Sequence, residues 1–196
     1  MGIGTAEEKM KKPKFNWGFF KIGKGTCAAA WTPKGLSALV LPQSSRERAL
    51  QKLHEYLPVS LHKNLGDPPR SVPSNIRSRT RRGLSGKPLR HSNFDLSFLT
   101  AFQQKILQAT YQIPLGQTRT YGWVARKAGS PRGFRAAGQA LNRNSIPLFI
   151  PCHRVIASGN RLGGYGGGIT WKIRLLKAEG VETYPSPEGS YRVRQL

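Results

Sequence analysis

Apolar and polar positions along the chain follow two rhythms. Over residues 17–22, 26–31 and 36–41, short apolar runs alternate with turn chemistry, first Gly23-Lys24-Gly25 and then Thr32-Pro33-Lys34-Gly35. Such spacing predicts three strands joined by hairpins. Ser44-Ser45-Arg46-Glu47 then opens a helix, because Ala49, Leu50, Leu53 and Leu57 recur at three- and four-residue intervals.

The helical rhythm returns twice further on. Residues 120–129 predict a short helix with a glycine stop, and Ser130-Pro131 supplies an N-cap and a first-turn proline for a second helix. On that second helix Gly133, Ala136, Ala137 and Ala140 form a stripe of small residues beside a polar stripe of Arg132, Arg135, Gln139 and Asn142. The pair reads as a helix-turn-helix. Its small stripe suits either close helix packing or approach to a groove, and its polar stripe suits phosphate and base contact. The apolar run 146–150, with Pro147 and Pro151 at its ends, predicts a short buried strand. Residues 171–179 predict a helix stopped by Gly180.

Residues 67–91 carry neither rhythm. Arg70, Arg77, Arg79, Arg81, Arg82, Lys87 and Arg90 are mixed there with Pro, Ser and Gly, without a large apolar cluster. Burial in such a segment cannot offset the entropy of ordering it, so the reading is a mobile linker, either a solvated spacer or a basic arm along phosphates. The layout is then a disordered basic tail (1–13), a sheet domain (14–66), a basic flexible linker (67–92), a C-terminal domain (93–183) and a C-terminal tail (184–196).

Charge narrows the partners. The 196 residues hold 32 Lys and Arg against 9 Asp and Glu, a formal charge of +23 at pH 7, which draws the protein to polyanions through counterion release. Cys27 and Cys152 are the two cysteines, and neither has metal-ligand spacing, so no metal is expected and a reducing, intracellular compartment is. That means cytoplasm or nucleoid, or the nucleus in a eukaryotic cell. No apolar run reaches a membrane span and the basic start lacks a signal-peptide core, so the expectation is a soluble protein with no membrane partner.

The candidate chemistry lies in Ile150-Pro151-Cys152-His153-Arg154-Val155, where a thiol meets an imidazole at the end of an apolar run. Neighbouring side chains in extended backbone point apart, so a proton passes from Cys152 to His153 either after a turn or through a water. Five glycines within residues 163–168 then form a loop feeding the last helix, a turn that lets backbone approach a ligand or merely bend. From Leu96 to Ala178 there is no acid among twelve Lys and Arg, which makes Glu179 the nearest carboxylate in sequence able to orient His153.

In this order the features resemble one family, the O6-alkylguanine-DNA alkyltransferases. Pro151-Cys152-His153-Arg154-Val155 is similar to its active-site motif, Phe102-Gln103-Gln104-Lys105-Ile106-Leu107 to the start of its C-terminal domain, and Ile113-Pro114-Leu115-Gly116-Gln117-Thr118-Arg119-Thr120-Tyr121 to its next block. The resemblance covers roughly residues 94–181 and implies an α/β fold. A small N-terminal antiparallel sheet domain with a helix would precede a winged-helix or helix-turn-helix-like alkyltransferase domain.

The resemblance also implies a function. Cys152 would accept the alkyl group irreversibly, His153 and Glu179 would relay its proton through water, and Tyr121 would assist the leaving oxygen, with no cofactor. Arg135 would replace an extruded base. Arg132, Ala136, Gly138 and Gln139 would line the DNA face, and Asn144 would link the reading helix to the active-site strand. Val155, Tyr165, Gly166 and Lys172 would frame the pocket. The partner would be double-stranded DNA, read by a monomer in the minor groove with the alkylated base flipped out.

Phe134 departs from the pattern, standing where the family usually has a small residue. Two rivals remain beside this reading: an alkyltransferase-like protein that recognises damage without transfer, and a cysteine hydrolase. The first replaces the acceptor cysteine, which this chain retains. The second needs a base from a separate segment, and none is evident.

Overall fold

The computed structural model describes residues 15–62, 69–89, 92–187 and 189–194; the expected basic tail lies outside these residues. Strands β1 (Asn16–Ile22), β2 (Gly25–Thr32) and β3 (Gly35–Gln43) form an antiparallel sheet in that order, within two residues of the runs read from the sequence. Side chains on a strand alternate between faces. Here both faces are covered. Ala28, Ala30, Ala38 and Val40 meet Ala49 and Leu53 of helix α1 (Arg46–Tyr56) on one side, while Phe20, Cys27, Ala29 and Leu39 join the large core of the C-terminal half. Double coverage explains why β2 is nearly continuously apolar. Ser45 caps α1 by accepting from the Arg48 amide, as the polar start of that helix predicts. A one-turn helix, α2 (Val59–His62), follows.

The linker expected over residues 67–92 is corrected by helix α3 (Ser74–Leu84). Ile76, Thr80 and Gly83 face inward at intervals of four and three, and Leu148 lies against Gly83 so closely that an added Cβ would come within 2.9 Å of it. Two of the arginines are tied to this chain: Arg79 donates to Ser92 and Arg82 to the Pro88 carbonyl. Burial against a remote part of the chain supplies the ordering energy that the local composition lacks.

Helix α4 (Ala101–Tyr111) starts in a capping box between Thr100 and Gln103. Strand β4 (Arg119–Thr120) leads into α5 (Tyr121–Lys127), capped by Thr120, and α6 (Phe134–Asn142) packs on both α4 and α5. Helix α6 begins three residues later than the Ser130-Pro131 signal predicts. Those residues close a turn of their own, with the Gly133 amide donating to the Ser130 carbonyl, and Gly133 becomes the cap.

Residues 146–150 are fully buried as expected but are not a strand. The Ile150 amide donates back to Ile146 and Leu148 has φ of 76°, so the run folds into a tight turn. Proline at 147 removes a donor that a ladder would need. A 3₁₀ turn over Cys152–Arg154 follows, then β5 (Val155–Ile156), which pairs in parallel with β4. Helix α7 (Ile169–Ala178) ends at Glu179. The expected C-terminal tail is also corrected: β6 (Thr183–Pro185) pairs with β7 (Tyr191–Val193), and Val193 packs beside Ile156, Leu162 and Leu176. One apolar residue among polar ones was too little pattern to read as a strand.

Strand β3 joins the halves. The Leu39 amide donates to the Ser145 carbonyl at 2.8 Å and the Ser145 hydroxyl donates to the Ser37 carbonyl at 2.8 Å. The sheet therefore braces the segment that carries Cys152.

Candidate active site

The turn after α6 aims Cys152. Asn144, only 3% exposed, donates through Nδ2 to the Ile150 carbonyl and to Cys152 Sγ, both at 3.0 Å, while its Oδ1 accepts from the Ile146 amide at 3.0 Å. One amide group thus fixes both the turn and the sulfur. Asn144 lies buried behind α6 and not on its exposed face. Cys152 is 8% exposed and opens on a cavity of about 80 Å³ walled by Tyr121, Gly138, Asn142, Tyr165 and Gly166. A larger cleft of about 410 Å³, beside Trp31, Lys34 and Arg79, is lined by no cysteine.

Burial pushes the Cys152 thiol up from its ordinary range, opposed by the Asn144 amide, the Lys172 charge and the nearby Tyr165 phenol. At rest it is a neutral thiol. His153 is fully buried, and its Nε2 lies 2.8 Å from Glu179 Oε1. Arg154 grips the same carboxylate twice, from Nε at 2.8 Å and Nη2 at 2.9 Å, and anchors to the Ile113 carbonyl through Nη1 at 2.6 Å. Although burial opposes ionisation, these two partners hold the Glu179 carboxyl down at about 2. A carboxylate can only accept, so the Nε2 of His153 carries the proton and Nδ1 keeps its lone pair. Burial lowers the His153 pKa against the pull of Glu179, which keeps the ring neutral. Nδ1 and the Tyr165 hydroxyl are buried without a hydrogen-bond partner among the described residues.

Lys172 is also fully buried, and its ammonium donates to the carbonyls of Val155 (2.6 Å), Leu162 (2.5 Å) and Gly164 (3.1 Å). Burial brings its pKa down to about 8. It does not line the cavity but stitches the glycine loop to β5. Val155 likewise contributes a carbonyl to this stitch while its side chain sits in the core. Gly166 closes against the end of α6, where an added Cβ would lie 3.0 Å from the Asn142 carbonyl oxygen. Tyr121 reaches the same loop, its hydroxyl donating to the Gly164 carbonyl at 3.3 Å, and burial raises its pKa.

Arg135, Ala136 and Gln139 are exposed on α6, with Gly138 half-buried in the cavity wall; Arg132 is exposed in the preceding turn. The expected small stripe divides, Ala137 and Ala140 facing the core and Ala136 facing solvent. Phe134 stays outside the core. Arg154 was missed as the second partner of Glu179, although a lone acid among many bases was a signal that its charge would be shared. Cys27 is buried in the sheet and burial pushes its thiol to about 12, far from reactivity at neutral pH. Among the described residues no cluster of three or more His, Cys, Asp or Glu could hold a metal, and no helix is long and apolar enough to cross a membrane.

Residues 101–181 match the sequence profile of the 6-O-methylguanine DNA methyltransferase DNA-binding domain. A methylated-DNA–protein-cysteine methyltransferase of Mycobacterium leprae is 49% identical over 80 residues, 41% of this chain and 48% of the relative, so the match spans about half of that relative's length. The namesake from Methanothermobacter thermautotrophicus is 40% identical over 157 residues, 77% of each chain. Among solved structures, Mycobacterium tuberculosis OGT in complex with DNA superposes with a TM-score of 0.67 at 32% identity, covering 84% of this chain and 93% of that one. With the thiol, its imidazole–carboxylate pair and this likeness over both halves of the fold, the chain belongs to the methylated-DNA–protein-cysteine methyltransferase family.

Proposed function

We propose that the protein repairs DNA by taking an alkyl group from O6 of guanine onto Cys152, once per molecule. The observation that carries the proposal is the neutral thiol at the cavity wall, beside a neutral imidazole whose tautomer is fixed by an ionised carboxylate. The names of the relatives and the DNA complex of the Mycobacterium tuberculosis protein support this substrate class.

In this reading the Cys152 proton passes to His153 Nδ1 by way of a water, and Glu179 stabilises the imidazolium. The sulfur electron pair forms the S–C bond as the C–O6 bond breaks. The C–O6 bonding pair leaves with guanine, whose developing charge accepts a hydrogen bond from Tyr121, and the raised Tyr121 pKa keeps the phenol protonated for this role. Thiolate is the strongest nucleophile among ordinary side chains for attack on saturated carbon. The product is a thioether, which water does not open, so each molecule acts once.

A recessed sulfur cannot reach a base inside the duplex stack, so the alkylated nucleotide is flipped into the cavity. Helix α6 supplies the DNA face: Arg132 and Gln139 hold the minor groove and Arg135 fills the space of the departed base. The protein works as a monomer without a cofactor. Incubation with a duplex containing O6-methylguanine, followed by intact-protein mass spectrometry, should add one methyl group in place of one hydrogen on Cys152. Tight lesion binding with unchanged mass would instead indicate recognition without transfer, and would overturn the proposal.

A further inference from the structure

Phe134 is the first residue of α6 and is 50% exposed. Its ring belongs to none of the three apolar clusters that hold the fold together, since α6 faces the core through Ala137, Ala140 and Leu141. Folding gives no reason for it. An aromatic residue is a poorer helix former than alanine, and solvent exposure forgoes its burial. The Arg135 guanidinium carbon stands 5.7 Å from the ring centroid, within cation–π reach. Ring and guanidinium thus project together from the start of the helix assigned above to the DNA.

We infer that Phe134 is a second wedge, an aromatic plane that enters the opened base step beside Arg135 and stacks on the base pair flanking the extruded nucleotide. The inference rests on the DNA-repair reading and adds to it a residue that sets the cost of base flipping. Apolar side chains inserted between base steps unstack and kink a duplex from the minor groove. An aromatic face stacks on any base, so this wedge is indifferent to sequence. The pairing with Arg135 divides the labour: the cation fills the emptied position while the ring covers the exposed face of the neighbour.

The test compares Phe134→Ala and Phe134→Trp with the wild-type protein on two substrates, duplex O6-methylguanine and free O6-benzylguanine. Phe134→Ala should slow duplex repair about tenfold, the rate equivalent of ~1.4 kcal/mol, and leave the free-base reaction unchanged, because a free base needs no flipping. Phe134→Trp should retain the duplex rate. Equal or faster duplex repair by Phe134→Ala would overturn the inference, as would equal slowing on both substrates, which marks structural support. A transfer-independent measurement separates this from the parent reading. In the Cys152→Ser background, a duplex carrying 2-aminopurine next to the lesion brightens as the step opens, and Phe134→Ala should reduce that brightening. Unreduced brightening would overturn the wedge whether or not the wild type transfers alkyl groups.

Discussion

Glu179 is claimed at once by a standing cation, Arg154, and by a neutral imidazole, and that sharing shapes what single substitutions do. Arg154 neutralises the carboxylate at rest, so His153 can stay neutral beside it and still find a charge to lean on when it takes a proton. Glu179→Gln should therefore slow transfer strongly while keeping the fold, and single-turnover rates against pH should show the basic limb moved upward as the thiolate loses support. An unmoved limb would remove the relay. Cys152→Ser should abolish methyl gain by mass while nearly preserving duplex affinity, because a hydroxyl at neutral pH is a far weaker nucleophile of similar shape. Acid should loosen the fold by a defined route. The folded pKa of Glu179, about 2, lies below its ordinary 4.5, so its stabilisation is full above 4.5 and is lost as pH falls toward 2. His153, also lowered, binds its proton more readily unfolded, so stability declines already below about 6.5. Denaturant midpoints measured from pH 7 to 3 should fall throughout, and Glu179→Gln should flatten the lower part. Lys172→Met should be costlier than either. It leaves three carbonyls under the glycine loop without a donor, at about 1–3 kcal/mol each, and a chemical melt should register at least about 3 kcal/mol.

Among the elements, those with local signals were legible and those built by distant contacts were not. The three strands, α1 and α5 carry their own turns, caps and spacing, and the thiol motif is a contiguous string. Helix α3 was hidden because four arginines surround only Ile76, Thr80 and Gly83 as inward positions, and what closes on Gly83 is Leu148, far along the chain. The run 146–150 was legible as buried and illegible as a turn, since a fully apolar segment has no period to betray its conformation. Arg154 follows the same rule: its partner is 25 residues away. Gly86, just past α3, gives this element a sharp test. Its φ is +70° and an added Cβ would lie 1.8 Å from the Ala178 carbonyl oxygen, one residue before Glu179. Gly86→Ala should lower the melting temperature and slow transfer together. A slower reaction at unchanged melting temperature would show that α3 does not brace the end of α7.

The molecule as a whole presents +23 formal charges to a polyanion, so its affinity for undamaged duplex should fall steeply with salt. Arg132→Gln should make the slope of log affinity against log salt shallower by about 0.9, one phosphate contact, while leaving the preference for damaged over undamaged DNA in place. An unchanged slope would take Arg132 off the phosphates. Asn144 carries a different consequence at this scale. The same amide that holds the turn after α6 also donates to Sγ, and both residues are buried. An alkylated sulfur is bulkier and a poorer acceptor, so the reaction presses on the joint between α6, the turn and the braced sheet. Under the proposed reaction the protein would be a fuse whose use is recorded in its own stability. After saturation with free O6-benzylguanine its melting temperature should drop, and the spent population should be the one that proteases clear first, which would tie a cell's stock of repair capacity to synthesis rather than to recycling.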